Sequence, residues 1–262
     1  MTAWRCLEEG PNPAAWNMAV DEALLVCYPR FRQPTLRLYA WEKPTLSLGR
    51  FQSLEAVHVD ACAAAGIDLV RRPTGGRAVL HHQEVTYGVV AGLEMFPPGV
   101  AASYRRLSDA LLGALQRLGL TPQLQRKHAR SDADVCFEAP SFAELTLGGK
   151  KICGSAQTRN KDALLQHGSL PLEFPWDLLQ VALGLDDRLL RRLQGQAGGL
   201  CEFSPVDERQ VRRALRHAFE QHFGPLVSGE LRPEERALAQ QLAVNKYNRL
   251  DRAKEAAHAA CR

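Results

Sequence analysis

The sequence lacks paired cysteines, long apolar runs and repeated segments, and each absence excludes a class of protein. Its seven cysteines are an odd number without any Cys-x-x-Cys pair, so neither a zinc site nor a disulfide framework is supported. No run approaches the roughly 18 consecutive apolar residues of a membrane span, and the start MTAWRCLEEG is not typical of a signal peptide. We therefore expect a cytoplasmic protein that holds no metal and enters no membrane.

A large excess of charge of one sign is also missing. The formal net charge of +4 is too small to indicate nucleic acid binding by itself. Hydrophobic residues make up 45% of the chain and charged residues 24%, as in ordinary globular proteins. With 262 residues, the chain corresponds to one large or two small domains and needs no cross-links to build a core.

The spacing of apolar residues predicts an intermixed series of helices and strands. Helical spacing predicts helices over 12–27, 53–66, 103–119, 176–185, 207–224 and 232–250. Alternation predicts strands over 35–41, 45–51, 67–72, 78–92 (bent around 81–83), 142–149, 150–159 and 163–174. Neighbouring strands are close enough to pair antiparallel. We therefore expect an α/β (α+β) fold with a large mixed sheet packed by helices, followed by a helical tail.

The segment RRPTGGRAVLHH (71–82) joins adjacent glycines to several arginines. Glycine lets the backbone approach a ligand closely, and guanidinium groups match phosphate or carboxylate. The spacing fits neither a GxGxxG nor a Walker motif, so a nucleotide site is weakly supported. The alternative interpretation of this segment is a β-turn whose arginines are solvated. His81, in the following strand, is a candidate acid–base group or a structural histidine.

The segment DADVCFEAPSFAEL (132–145) places Cys136 in a loop between acidic residues. Packing, metal binding, a disulfide and nucleophilic chemistry are all conceivable roles for this thiol. The acidic neighbours Asp134 and Glu138 oppose formation of the thiolate unless a cation such as Lys151 lies over it. Cys136 is therefore a candidate nucleophile whose activation depends on the fold.

The segment GGKKICGSAQTR (148–159) places two lysines directly after a tight turn. Strand alternation predicts that Lys151 and Cys153 face one side and Lys150 the other. Lys151 then points into a cleft, unless the lysines only protect a sheet edge from aggregation. Cys153 is a rival nucleophile, although its place inside a strand favours a packed small residue.

Four segments in this order and spacing closely resemble the LipM-type octanoyltransferases of the biotin/lipoate protein ligase superfamily. They are RRPTGGRAVLHHQEVTY, VCFEAPSFAEL, GKKICGSAQTR and LLQHGSLPL. The resemblance runs from WRCLEEGPNPAAWNMAVDEALL to residue 174. It implies a substrate tunnel beside the arginine–glycine loop. We expect a catalytic domain over 1–205 and a helical C-terminal extension over 206–262 packed on the same domain.

The same resemblance implies the reaction. An octanoyl group passes from octanoyl-acyl carrier protein to one lysine of a lipoyl-domain protein, such as the glycine cleavage H protein, without a cofactor. Cys136 carries the acyl group as a thioester, Lys151 contacts the acyl carbonyl, and His81 is our candidate general base. The implied substrate-binding residues are Arg71, Arg72, Thr74, Gly75, Gly76, Arg77, Gly154, Ser155, Ala156, His167 and Gly168.

Two features of the sequence bear on the assignment. Cys153 stands where Ala or Ser is usual in the family, which adds a second thiol near the expected site. Several basic residues are expected to attract an acidic carrier protein and its phosphopantetheine phosphate; they are Arg71, Arg72, Arg77, Lys150 and Arg159. We expect the protein to act as a monomer.

Three other functions remain open. An ATP-dependent lipoate-protein ligase has the same fold, but Arg77 stands where ligases usually carry a third glycine, and ligases have no cysteine at position 136. An octanoyl or lipoyl amidotransferase of the superfamily also uses a cysteine and differs in its donor. A non-catalytic protein that binds lipoate or an acyl carrier would have no use for the pair Cys136 and Lys151.

Overall fold

A computed structural model describes residues 3–124 and 145–248. Seven α-helices lie in this part of the chain: α1 (Ala14–Phe31), α2 (Val59–Ala64), α3 (Val100–Arg117), α4 (Trp176–Leu183), α5 (Asp187–Gln194), α6 (Glu208–Phe223) and α7 (Pro233–Leu242), the last continued by a π-helical turn over Ala243–Tyr247. Its strands are β1 (Trp4–Asn12), β2 (Thr35–Trp41), β3 (Thr45–Leu48), β4 (Asp68–Arg71), β5 (Val79–His81), β6 (Glu84–Gly92), β7 (Gln123–Leu124), β8 (Leu145–Leu147), β9 (Lys150–Lys151), β10 (Gly154–Arg159), β11 (Ala163–Pro171) and β12 (Leu226–Ser228). Cys136 lies outside the described residues.

The core is built around a six-stranded sheet with the order β10-β11-β6-β2-β1-β12. The pairs from β10 to β2 are antiparallel, whereas β1 pairs in parallel with both β2 and β12. Every residue of β6 and β11 is buried, because α1, on which α7 packs, covers one face and the layer of α3 and α6 covers the other. The predicted mixed sheet packed by helices is confirmed.

Side chains of β6 alternate between these two layers, as the period of two requires. Val85, Tyr87 and Val89 pack in the cluster with α3 and α6. Val90 belongs to the opposite cluster with α1. Because both faces are covered, apolar residues are needed on both sides of this strand.

Two smaller sheets carry the segments that the sequence marks as functional. The sheet β4-β3-β5 holds the arginine–glycine loop between β4 and β5, and the sheet β7-β8-β9 holds the lysine pair. A third apolar cluster, formed with α2, α4 and Leu193 of α5, supports the first of these sheets. In the described part of the chain, no helix combines the length and apolar character needed to cross a membrane.

Three predicted strand assignments need correction. The strands predicted over 35–41 and 45–51 form as β2 and β3 but belong to different sheets. The strand predicted over 78–92 breaks in two, because β5 pairs with β3 while β6 pairs with β2 and β11. The strand predicted over 150–159 breaks likewise, since β9 pairs with β8 and β10 with β11.

Other differences concern the first strand, two short helices and the C-terminal region. The helix predicted over 53–66 is limited to α2, because the chain before it forms turns such as that closed by Val57 N donating to Leu54 O (2.9 Å). Neither α5 nor β1 was predicted from the sequence. The region after 205 is not purely helical, since β12 adds a strand to the main sheet beside β1. The boundary between 205 and 206 stays a prediction.

Candidate active site

A narrow slot lies where α1, the main sheet and the sheet β4-β3-β5 meet. Its volume is about 30 Å³, and it is lined by Met18, Tyr39, Trp41, Ser47, Arg72, Val79, His81, Thr86, Gly154, Ser155, Ala156, His167, Gly168 and Ser169. A cavity of this size has room for only a few water molecules. A ligand that enters the slot must therefore be slender, and flexible walls such as the Met18 thioether must yield to it.

The slot brings together residues from three segments that are far apart in the sequence. Of the predicted site residues, those that line it are Arg72, His81, Gly154, Ser155, Ala156, His167 and Gly168. Thr74 contacts this group through His167. Gly75, Gly76 and Arg77 lie in the adjoining loop and do not line the slot, and neither does Lys151. Whether these residues act on a substrate stays a prediction.

His167 links the arginine–glycine loop to a carboxylate on α1. Its Nδ1 lies 2.8 Å from Asp21 Oδ2, and its Nε2 lies 2.7 Å from Thr74 Oγ1. Since a carboxylate only accepts hydrogen bonds, Nδ1 donates to Asp21 and Nε2 accepts the Thr74 hydroxyl proton in the neutral ring. Burial lowers the pKa of His167 and, together with the positive charge of Arg72, outweighs the hydrogen bond and charge of Asp21, which raise it. The neutral ring is therefore the stable form.

Asp21 is the centre of a buried polar network. Its Oδ1 accepts from Arg37 Nη1 at 2.8 Å, and its Oδ2 also accepts from the Tyr39 hydroxyl at 3.0 Å. Burial by itself raises the pKa of Asp21, but the hydrogen bond from His167 and the charge of Arg37 outweigh burial and hold this pKa below its ordinary value. Arg37 also bonds Asn17 Oδ1 (2.9 Å) and Glu9 Oε2 (2.6 Å). The network fixes α1, β2 and β11 relative to one another.

A second histidine–carboxylate pair lies on the other side of the slot. His81 Nδ1 lies 2.8 Å from Glu84 Oε1, and His81 Nε2 lies 2.8 Å from Ser47 Oγ. The indole of Trp41 stacks on the His81 ring with centroids 4.2 Å apart. Burial favours the neutral acid of Glu84, but the charge and hydrogen bond of His81 outweigh burial and lower the pKa of Glu84. Both ring nitrogens of His81 are therefore engaged in this state.

The arginine–glycine loop is held by its own arginine. Arg72 donates to Ser47 O (2.9 Å) and to the carbonyls of Gly75 and Arg77 (2.7 Å each). A side chain at position 49 is excluded, because a Cβ on Gly49 would lie 1.8 Å from the Gly76 carbonyl oxygen. These contacts give Arg72 a structural role in the loop as well as a place in the slot wall.

The two lysines differ in burial as predicted, but Lys151 lines neither the slot nor another described cavity, so its place in a cleft stays a prediction. Lys151 is fully buried, whereas the partly exposed Lys150 forms an ion pair with Glu202 at 2.7 Å. The backbone of Lys151 is held on the far side by two hydrogen bonds, its N–H to Gln196 O (2.8 Å) and its C=O from Gly198 N (3.1 Å).

Cys153 is buried, with its Sγ 3.6 Å from Ser155 Oγ. The strict alternation predicted through position 153 is wrong, because the strand breaks after Lys151 and both Ile152 and Cys153 turn inward. Cys153 thus occupies the position of a packed small residue.

A second, wider cavity adjoins the slot, and we call it the basic cleft. Its volume is about 530 Å³, and it is lined by Glu22, Leu25, Val26, Arg50, Arg71, Arg72, Pro73, Thr158, Arg159, Asn160, Lys246 and Tyr247. Arg71, predicted to bind substrate, lies here and not in the slot. Arg72 lines both cavities.

Several important polar residues of the site were not predicted from the sequence. They are Asp21, Arg37, Ser47, Glu84 and Thr86. The sequence signal for such residues is a single charge within an otherwise apolar segment. Because a charged side chain is almost never fully buried unless it is paired, such a charge indicates a buried partner. Asp21 in NMAVDEALL and Arg37 in TLRLYAW both meet that criterion.

Comparison with known proteins identifies the family of this chain. The family model of the lipoyl protein ligase A/B catalytic domain matches residues 13–219. Octanoyltransferase LipM of Kyrpidia tusciae is 42% identical over 94% of this chain and 97% of its own length. The crystal structure of lipoate-protein ligase A bound with ATP has a TM-score of 0.80 at 26% identity and covers 94% of this chain and 96% of that chain.

A bipartite lipoate protein ligase of Thermoplasma acidophilum, from a structural study of that ligase and its E2 lipoyl domain, has a TM-score of 0.78 at 25% identity. This match covers 94% of the present chain and 93% of the other. The chain belongs to the lipoyl protein ligase A/B catalytic domain family and, within it, to the LipM octanoyltransferases, which are acyltransferases.

Proposed function

We propose that the protein transfers an octanoyl group from octanoyl-acyl carrier protein to a lysine of a lipoyl-domain protein, such as the glycine cleavage H protein, through a thioester on Cys136. The observation that carries the proposal concerns the strands on either side of that cysteine. Leu124 of β7 pairs with Leu145 of β8, and Thr146 of β8 pairs with Lys151. The described residues that flank the segment with Cys136 therefore belong to the same small sheet as Lys151, which supports a thiol and an ammonium group acting together.

The proposed chemistry consists of two balanced acyl transfers. In the first, Cys136 loses its proton and its sulfur attacks the donor carbonyl, a new C–S bond forms, the C–S bond to pantetheine breaks, and the leaving pantetheine sulfur takes up a proton. In the second, the acceptor lysine amine attacks the thioester, a C–N bond forms, and the Cys136 sulfur leaves as the amine loses a proton. The first step converts one thioester into another, and the second converts a thioester into a more stable amide, so neither step needs ATP. Because the acyl group is held on the protein between the two steps, ping-pong kinetics are expected.

Lys151 is proposed to stabilise the oxyanion that forms in both steps. A buried cation is more effective for this purpose than an exposed one, because little water screens it. Lys151 is fully buried, and its backbone is fixed by Gln196 and Gly198. Such rigid placement supports a preorganised oxyanion site.

His81 is proposed as the general base for the acceptor amine. The Glu84 carboxylate holds the proton on Nδ1, which leaves Nε2 as the basic nitrogen. Since Ser47 Oγ is 2.8 Å from Nε2, the proton reaches His81 either through this hydroxyl or after the hydroxyl rotates away. The narrow slot between the two histidines is proposed to hold the octanoyl chain, whose burial contributes about 0.8 kcal/mol per CH₂.

The protein is proposed to act as a monomer in the cytoplasm, where thiols stay reduced. The free cysteines of the described residues are Cys6, Cys27, Cys62, Cys153 and Cys201, and they suit that compartment.

A second candidate function is an ATP-dependent lipoate-protein ligase. The structural similarity to lipoate-protein ligase A bound with ATP favours it. Against it stand Arg77 in place of a third glycine and the presence of Cys136. An amidotransferase that takes octanoyl from an octanoylated H protein would use the same thiol and differ only in its donor.

Intact-mass measurement tests the proposal. Octanoyl-acyl carrier protein without ATP should add one octanoyl mass, which hydroxylamine removes. The adduct should be absent in Cys136→Ser and retained in Cys153→Ser, the matched control. An adduct that persists in Cys136→Ser and vanishes in Cys153→Ser would show that the nucleophile is wrongly assigned. Turnover only with ATP and free lipoate would establish the ligase function instead.

A further inference from the structure

The basic cleft has more positive charge than its own carboxylates neutralise. Arg50, Arg71 and Arg159 contribute guanidinium groups to its wall. Among the described residues that line the cleft, the one carboxylate is Glu22, which already bonds Lys246 Nζ and the Tyr247 hydroxyl at 2.7 and 2.5 Å. The charge of Glu22 is therefore balanced by Lys246 and is not available to the arginines.

The contacts of the three arginines are with neutral groups. Arg71 Nη1 donates to the carbonyls of Gly49 (2.8 Å) and Gln52 (2.6 Å). Arg50 packs over the Phe51 ring at 5.4 Å. Hydrogen bonds and ring contacts of this kind orient a guanidinium group without cancelling its charge.

Arg159 shows the same pattern at the other wall of the cleft. It donates to Gly99 O (2.9 Å) and Gln157 Oε1 (3.0 Å), and also to the Ser103 hydroxyl. Burial lowers the pKa of Arg159, as expected for a cation that is partly removed from water without an anion beside it. A bound anion would offset that cost.

The position of the basic cleft limits what this anion can be. Arg72 lines both the cleft and the slot, so one extended ligand can reach from one cavity into the other. Such a ligand carries a slender apolar end and, after a polar linker, an anionic group. Guanidinium groups bind phosphate through paired hydrogen bonds more strongly than through a single point contact.

We propose that the basic cleft binds the phosphate of the donor's phosphopantetheine arm while the acyl chain lies in the slot, an inference that rests on the acyl-transfer function proposed above. The carrier protein itself is the source of this phosphate, because its phosphopantetheine joins the acyl group and the anion in one arm. Arg50, Arg71 and Arg159 bind the anion directly. Lys150, which the sequence grouped with these cations, is paired with Glu202 and takes no part.

Two thioesters that differ only by a phosphate provide the test. The second-order rate constant for formation of the acyl-protein is measured with octanoyl-4′-phosphopantetheine and with octanoyl-pantetheine, and their ratio is the readout. In the native protein the ratio should be about ten or more, the effect of one charge-assisted hydrogen bond. The same measurement with octanoyl-acyl carrier protein should give a rate constant at least as high as that of the phosphorylated arm.

Variants of the cleft arginines test whether these residues cause the preference for the phosphorylated thioester. Arg50→Gln and Arg159→Gln should each reduce the ratio several-fold, and the double variant should bring it close to one. Arg50 is informative because its side chain makes a ring contact and no hydrogen bond that holds the loop. Arg213→Gln, an exposed arginine of α6 in a separate cavity, is the matched control and should keep the native ratio.

Salt provides an independent measurement, because the preference for phosphate should fall as the Debye length shrinks to about 3 Å near 1 M ionic strength. Equal rate constants for the two thioesters in the native protein would overturn the inference while leaving acyl transfer intact. An undiminished ratio in the double variant would overturn it too. Failure of every thioester to acylate the protein would instead remove the proposed function, and the inference with it.

Discussion

His167 and Asp21 form a hydrogen bond of 2.8 Å that connects the wall of the slot to the buried centre of the main sheet. The same histidine reaches Thr74 in the arginine–glycine loop, while the same carboxylate reaches Arg37 on β2. Loop, sheet and helix α1 are thus joined by one chain of buried polar contacts. Such a chain gives a precise site only when every member is satisfied.

Asp21→Asn is expected to destabilise the fold strongly. The amide leaves the buried guanidinium of Arg37 without its full counter-charge, and loss of one member of a buried ion pair costs about 3–5 kcal/mol. Urea unfolding followed by circular dichroism measures the change. Asp109→Asn, on the exposed face of α3, is the control and should leave the midpoint nearly unchanged. Equal effects of the two substitutions would contradict the central role of Asp21.

The stability of the protein should decrease on mild acidification because of His167. Its pKa in the folded protein is below the ordinary value of 6.5, so the unfolded chain takes up a proton at a higher pH than the folded one. The stabilisation is therefore complete above the unfolded pKa and is lost as pH falls from there toward the folded pKa. Unfolding free energies at pH 7.5 and 5.5 should differ less in His167→Gln than in the native protein.

The exposed histidine at position 217 serves as the control for that experiment. His217→Gln should preserve the native pH dependence over the same interval. If both variants lose the dependence, or neither does, the acid sensitivity does not originate at His167.

Some features of the site follow from local sequence, whereas others depend on pairing across the chain. The inward position of Lys151 could be predicted because a tight turn at Gly148 and Gly149, both with positive φ, sets the register of the short hairpin. The strand break after Lys151 could not be predicted, because the two halves of the predicted strand, β9 and β10, pair with different strands, β8 and β11. No local pattern specifies which distant strand each half will meet.

The buried ion pair of Asp21 and Arg37 illustrates the same limit. Each residue is conspicuous as a charge in an apolar segment, but the two come from a helix and a strand 16 positions apart. Only the packing of α1 against the sheet reveals that they meet and that His167 joins them. Slot residues such as His167 could be predicted from the sequence, whereas the hydrogen bonds that join His167, Asp21 and Arg37 could not.

Lys151→Met should slow acylation of the protein by about 10²–10³-fold if its charge stabilises the oxyanion. Methionine retains much of the buried volume of the lysine side chain, so the fold is expected to tolerate it better than alanine. Lys150→Met is the matched control, since this neighbour forms an ion pair with Glu202 near the surface. Stopped-flow or quenched mass measurements with an octanoyl thioester give the rates. A reduction of only two-fold would exclude Lys151 from the chemical steps.

Ala156→Leu should convert the slot from one that accepts octanoyl chains to one that accepts only short chains. Ala156 lines the slot and pairs with His167 across β10 and β11, so the three additional carbon atoms of leucine would fill space that the octanoyl chain is proposed to occupy. Each CH₂ of the substrate that is excluded forfeits about 0.8 kcal/mol of burial. Because an acetyl group does not extend into the slot, the rate with an acetyl thioester is an internal control that should change little. The ratio of octanoyl to acetyl acylation rates is therefore expected to fall by at least ten-fold, and an unchanged ratio would mean that the octanoyl chain is bound elsewhere.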